Sequence, residues 1–295
     1  MNVRFATNTT AWSFVRTASL DEIGPWLEFL DDAAEAGYDG VEHFQAFAPA
    51  IDPDLLHREL DQRSLELAGL ALYGELESPD GRESIEKQLR AVAPFVTELG
   101  AQYLYVHDAM YTDVMTGEQI GSSQLEPNEW AYLIDTTYYL NGLTGEFCGV
   151  PLLVHPHEFS HIDTPDQVER FLIDTEPVRI SLILDAGQYV HRGGDPARLY
   201  AEHHERIEQL HVKNFNRALL PENRTSLGAL TASGTFADLT LGEVDFAALR
   251  DALIAHSFNG WITIELLRIP TMIESPATAV TRALNHLYEI EYGQA

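Results

Sequence analysis

Residues 179–215 read RISLILDAGQYVHRGGDPARLYAEHHERIEQLHVKNF. Ile180–Asp185 is a short apolar run ending on a carboxylate, which predicts a buried strand. Asp195 followed by Pro196 pairs an N-cap with proline at the first helical position, so a helix opens there. Gln209–Lys213 is the next strand. Strand, helix and strand in this order make a crossover unit of a parallel sheet.

Working outward, the same unit repeats. Strands are expected at Val3–Thr7, Gly40–His43, Leu67–Tyr73, Tyr103–His107, Pro151–His155, Ile180–Asp185, Gln209–Lys213 and Trp261–Leu266. A helix is expected over Asp21–Ala36, where Ile23, Leu27, Leu30 and Ala34 fall at helical spacing before Gly37. Others are expected near Asp52–Arg63, over Ser84–Leu99 and from Pro127 toward Phe147. Further helices follow Thr164-Pro165 and Asp195-Pro196, run over Phe246–His256 behind the Asp245 cap, and open at Ser275-Pro276. Eight strands alternate with eight helices, with no linker-like segment. This predicts an α/β fold, a single (β/α)8 TIM barrel over residues 1–295. An open doubly wound sheet is the competing architecture. It usually carries a glycine-rich phosphate loop after its first strand, and here that place holds TNTTAWSF. The polar stretch Asp108–Glu126 is long for a connector and suits a lid or a site wall.

The chain has 295 residues, 45% of them apolar, which suffices for a large core. Asp and Glu number 46 against 18 Lys and Arg, a formal charge of −28. Such a field repels phosphate backbones and anionic membranes, so neither nucleic acid nor membrane is an expected partner. The carboxylate-rich, lysine-poor surface is like that of halophilic proteins; a GC-rich genome also favours Arg over Lys. Only Lys87 and Lys213 are lysines. Cys148 is the sole cysteine, which excludes an intrachain disulfide and a Cys-based zinc site. MNVRFATNTT has no signal-peptide pattern, and no apolar run approaches the roughly 20 residues of a membrane span. A soluble, cytoplasmic protein is expected.

In a barrel, chemistry sits at the C-terminal ends of strands. Those ends carry Glu42-His43, His107-Asp108, His155-Pro156-His157-Glu158, Asp185, His211 with Lys213, and Glu265. Asp185, His211 and Glu265 lie in apolar strands, where a charge is costly unless paired or bound to a metal. Two carboxylates with one or two imidazoles suit one divalent metal ion, Mn2+, Co2+ or Zn2+ in preference to Mg2+. Paired charges inside the barrel are the alternative. Lys213, in a chain that otherwise uses Arg, is a candidate acid or base with a lowered pKa, or a hydrogen-bond donor to substrate.

At these residues the chain resembles the xylose isomerase-like barrel superfamily, which holds sugar isomerases and epimerases, inosose dehydratases and endonuclease IV. HPHEFSHIDTPDQVERFL (155–172), LILDAGQYVHRGGDP (182–196), RIEQLHVKNF (206–215) and GTFADLTLGEVDFAALRDAL (234–253) with NGWITIEL (259–266) carry the resemblance, closest to the inosose-dehydratase branch. Trp12 and GYDGVEHF (37–44) extend it more loosely to the N-terminal half. The resemblance implies a metal held by His155, Asp185, His211 and Glu265. Many relatives have Glu on the fifth strand, so His157 or Glu158 is an alternative ligand there. Two more departures are Gln188, where relatives carry a substrate-binding His that His191 could replace, and Asn214 in place of an Asp. Substrate contacts are expected from Trp12, Glu42, His107, Gln188, His191 and Arg217, and proton transfer from Glu265 with His157 or Lys213.

The activity implied is that of a sugar isomerase or epimerase working through an enediolate on a small ketose or polyol. An inosose dehydratase-like lyase would use the same metal site. Endonuclease IV-like DNA repair is opposed by the charge, and a non-catalytic sugar-binding barrel is the fourth alternative. The resemblance also implies a homo-dimer or homo-tetramer.

Overall fold

The computed structural model describes residues 1–12, 24–44, 52–176, 178, 180–222, 226–269 and 272–292, without the side chains of residues 24, 25, 43 and 44. Eight parallel strands close into a barrel in chain order. They are β1 (Asn2–Thr7), β2 (Gly40–Phe44), β3 (Glu66–Gly74), β4 (Tyr103–Asp108), β5 (Leu152–Val154), β6 (Ser181–Asp185), β7 (Ile207–Val212) and β8 (Asn259–Ile264). β8 closes on β1 in register from Asn2 beside Asn259 to Thr7 beside Ile264.

The surrounding helices are α1 (Gly24–Ala36), α2 (Pro53–Gln62), α3 (Pro79–Leu99), α4 (Pro127–Phe147), α5 (Pro165–Asp174), α6 (Ala186–His191), α7 (Pro196–His203), α8 (Leu227–Ser233), α9 (Phe246–Ala255) and α10 (Pro276–Glu289). Thr164, Asp195, Asp245 and Ser275 each accept a backbone N–H of the first turn, as their sequence signatures predict. The expected start of the first helix, Asp21–Ile23, lies outside the described residues. α3 begins earlier than its apolar periodicity suggests, because Ser78 caps it ahead of Pro79. α6 and α8 are additional to the expected eight helices. α6 forms because the Asp185 side chain, at the end of β6, accepts the N–H of Gln188 and caps the chain at once into a helix.

Side chains alternate along every strand. Leu70, Leu72, Leu104, Val106, Leu182, Leu184, Leu210, Val212, Ile262 and Ile264 face outward and join the helices in the main core. Ala71, Tyr105, Leu153 and Ile183 form a separate cluster inside the barrel. Lower down, Trp261 fills the interior with Ala6 and Ala68. The Arg4 guanidinium lies 4.1 Å from the centre of the Trp261 ring and pairs with Glu66 at 2.7 Å. Gly40 is required here, since a Cβ would meet the Glu66 carbonyl oxygen at 2.5 Å and the Trp261 ring at 2.8 Å. The bottom is therefore plugged. The inward positions at the top, one alternation above the apolar cluster, are His107, His155, Asp185, His211 and Glu265.

Residues 109–126 form the wall beside β5 and α8. The Tyr111 N–H donates to the Phe159 carbonyl at 2.8 Å, and the Ser226 hydroxyl reaches the carbonyls of Val114 and Met115 at 2.8 and 2.9 Å. Among the described residues, no helix is long and apolar enough to cross a membrane.

Candidate metal centre

His155, Asp185 and His211 each offer one ligand atom, and the three atoms lie within 4.8 Å of one another. All three residues are buried. His155 Nε2 stands 3.6 Å from Asp185 Oδ2 and has no hydrogen-bond partner, whereas Asp185 Oδ2 is paired with Lys213. A buried imidazole nitrogen aimed at a carboxylate with no hydrogen between them is costly, and a divalent cation would satisfy it. The donor set, two imidazoles and a carboxylate, fits the predicted class of metal.

Glu265 adjoins this group. Its Oε2 lies 3.1 Å from His211 Nδ1 and 2.9 Å from Lys213 Nζ. In this arrangement it reaches the metal ligands through His211 and Lys213. Burial opposes its charge, but Lys213 and His211 hold its carboxyl well below the usual carboxylate range. Lys213 Nζ also lies 2.7 Å from Asp185 Oδ2. The expectation of a lysine with a lowered pKa is thereby corrected. Burial pulls it down, but Asp185 and Glu265 outweigh burial and raise it above the ordinary value. Lys213 is fully buried and clamps the two carboxylates together. Gly187 makes room for it, since a Cβ there would meet Lys213 Cγ at 2.5 Å.

The remaining predicted residues fall into three places. His107 and His157 border the group: His107 Nδ1 lies 2.8 Å from His155 Nδ1, and the His107 and His157 rings meet edge to face at 5.2 Å. His157 Nδ1 lies 3.0 Å from the Glu158 carbonyl oxygen, an acceptor, so Nδ1 carries the hydrogen and Nε2 keeps a lone pair. Burial lowers the His157 pKa, against the pull of that hydrogen bond. His157 is the partly exposed member of the His107–His155–His157 trio.

Gln188 and His191 gather around Glu158 beside β6. Gln188 Oε1 accepts the Glu158 N–H at 3.3 Å, and His191 Nδ1 contacts Glu158 Oε1 at 2.5 Å. The His191 ring packs on Phe215 and Phe236.

Trp12, Glu42 and Arg217 are placed apart from the expected substrate face. The Trp12 indole N–H donates to Asp32 at 2.8 Å and its ring packs edge-on against Phe29, so it clasps α1. Glu42 is fully buried beneath His211. Arg217 is exposed and makes a forked pair with Glu243 at 2.8 to 3.0 Å. Asn214 explains one departure from the family pattern. Its amide donates to the Leu239 carbonyl while its oxygen accepts from Phe215 and Val244, and an aspartate could not make the donation.

Composition gave no reason to single out a second group, Glu77, Asp108 and His161, which also meets the spacing for a metal. His161 Nδ1 lies 2.8 Å from Asp108 Oδ2 and its Nε2 lies 2.9 Å from the Ser122 carbonyl. Both partners are acceptors, so both nitrogens carry hydrogen and no lone pair is left for a cation. Burial opposes the charge, but Asp108, the Ser122 carbonyl and Glu77 push His161 up to about 9. The signal for this group was three histidines within HPHEFSH and an aspartate directly after His107.

The xylose isomerase-like TIM barrel family model matches residues 30–290. The inosose dehydratase of Halalkalibacterium halodurans is 27% identical over 263 residues, covering 86% of this chain and 85% of that protein. The 3-keto-D-glucoside 4-epimerase YcjR of E. coli superposes with a TM-score of 0.72 at 16% identity, covering 98% of this chain and all of the other. The IolI protein with a bound zinc atom also superposes at 0.72, with 15% identity and 97% coverage of both chains.

Proposed function

The chain belongs to the xylose isomerase-like TIM barrel family, and from its site we propose that it removes the proton next to the carbonyl of a polyol ketone and expels a neighbouring hydroxyl as water. The observation that carries this reading is the fixed tautomer of His157, which leaves a lone pair on Nε2 of a partly exposed ring 5.9 Å from the His155 ring. His155, Asp185 and His211 would hold a divalent cation, with Glu265 adjoining. When bound, that cation supplies a Lewis acid for the substrate carbonyl oxygen.

His157 Nε2 takes the proton from the carbon beside the carbonyl. The bond from the next carbon to its hydroxyl breaks, and the proton now on His157 leaves with that hydroxyl as water. Glu265 stays ionised between Lys213 and His211, so it does not hold a proton in the resting site. A two-carboxylate exchange between strands five and eight is thereby disfavoured, since strand five supplies His155. The inosose dehydratase relatives, at 27% identity over most of the chain, support the same outcome.

Isomerisation or epimerisation is the second reading, and the specific observation for it is that the Glu265 carboxylate is near enough to act on the His157 ring electrostatically. Proton NMR of an inosose and of simple ketoses in D2O with metal-loaded protein tests both. We expect exchange of the proton beside the carbonyl and a product short of one water; exchange with an isomeric product selects the second reading. His157→Gln is expected to slow exchange by about 10²–10⁴-fold with metal content unchanged. Absence of exchange with every one of these substrates rejects both.

A further inference from the structure

We propose that Glu42, beneath the site, is a positioning residue that makes His211 a metal ligand through Nδ1; this rests on the metal reading given above. Glu42 lies on β2 and His211 on β7, strands that are not neighbours in the barrel. Their contact therefore crosses the interior and is not a by-product of sheet pairing. His211 Nε2 stands 3.1 Å from Glu42 Oε1 and 3.0 Å from Oε2.

Three neutral donors fix the carboxylate. The Tyr105 hydroxyl donates to Oε2 at 3.0 Å, the Thr263 hydroxyl donates to Oε1 at 2.5 Å, and the Gln209 amide also donates to Oε1. With His211, four donors converge on two oxygens, which uses the accepting capacity of a carboxylate. The carboxyl contributes no hydrogen to these contacts, so the hydrogen between Glu42 and His211 sits on Nε2. Nδ1 faces Glu265 Oε2 at 3.1 Å, at the edge of the candidate metal group. It is the nitrogen on the cation's side and gives up its hydrogen when a cation binds, while Glu42 keeps the hydrogen on Nε2 and sets the ring plane.

This cluster is expensive if its only purpose is to fill the barrel. Alternate positions in the same interior are Ala71, Leu153 and Ile183. An apolar residue at position 42 with matching neighbours would avoid the desolvation of a carboxylate. Carboxylate–histidine–metal arrangements recover that cost by fixing the tautomer and strengthening the ligand.

The test is metal affinity and not turnover. Metal-free protein is titrated with Co2+, read by visible absorption, and with Zn2+ against a competing chelator. Glu42→Gln is expected to weaken binding by about 10–100-fold and to alter the Co2+ spectrum, with partial recovery in Glu42→Asp. Wild-type affinity and spectrum in folded Glu42→Gln overturn the proposal, even if its melting temperature drops. Should Glu42→Gln not fold, Tyr105→Phe and Thr263→Val loosen the carboxylate without touching His211. A few-fold loss of metal affinity in both supports the proposal, and unchanged affinity in both overturns it. Wild-type protein that binds no divalent cation rejects the metal reading itself, a result distinct from unchanged affinity in the variants.

Discussion

Two groups of ligand-type residues at the top of this barrel have similar composition and different character. His155, Asp185 and His211 leave His155 Nε2 without a hydrogen-bond partner. Glu77, Asp108 and His161 use both nitrogens of the histidine against acceptors. Ligand-type residues at ligand-type spacing are thus insufficient. A metal site needs at least one lone pair that the protein has not already supplied with a hydrogen, and in the first group that is His155 Nε2. The first group is prepared for a cation from outside, and the second contains its own cation, the protonated His161, which ties the β4 end to the wall at Ser122.

The comparison breaks most visibly at Asp185. Asp185→Asn is expected to reduce divalent-metal affinity and substrate proton exchange by at least about a thousandfold, measured by elemental analysis and by NMR. Asp108→Asn, the same change in the other group, is expected to leave metal content unaltered. If Asp108→Asn removes a bound metal, the assignment of the two groups is reversed.

His161→Gln probes the second group by stability. Loss of charged hydrogen bonds at a buried site costs about 1.5–3 kcal/mol, read as the shift of a denaturant midpoint, with metal content again unchanged. The same histidine gives a pH signature. Its folded-state pKa of about 9 lies above the ordinary 6.5. Its stabilisation is therefore complete below about 6.5 and is lost as pH rises through about 9. Wild-type melting temperature should fall across that alkaline window, and His161→Gln should lack that part of the fall. The smallest effect is expected at Arg217. Its exposed pair with Glu243 is screened by solvent, and Arg217→Ala should leave the KM within about threefold. A large rise in KM would restore Arg217 as a substrate contact.

The barrel was legible because apolar strands ending in charged residues alternate with capped helices, and each cap signature is a local event. The inward top row was legible for the same reason, from His107 to Glu265. The layer below was missed although its signal was present. Tyr105, Gln209 and Thr263 each stand two residues before His107, His211 and Glu265, and the period of a strand places them on the same interior face. Lys213 was noticed for its rarity, but its partners come from β6 and the end of β8, so its raised pKa depends on the closed barrel. For Trp12 the direction of the indole, toward Asp32, is decided by the approach of α1.

The plug at the bottom has a consequence for traffic. Trp261 is fully buried, and Arg4 covers its ring from below. No second doorway opens through the barrel axis there, so whatever the site makes must leave by the way its precursor came in. Product still resting on the threshold therefore blocks the next arrival, and inhibition by product should be competitive with substrate.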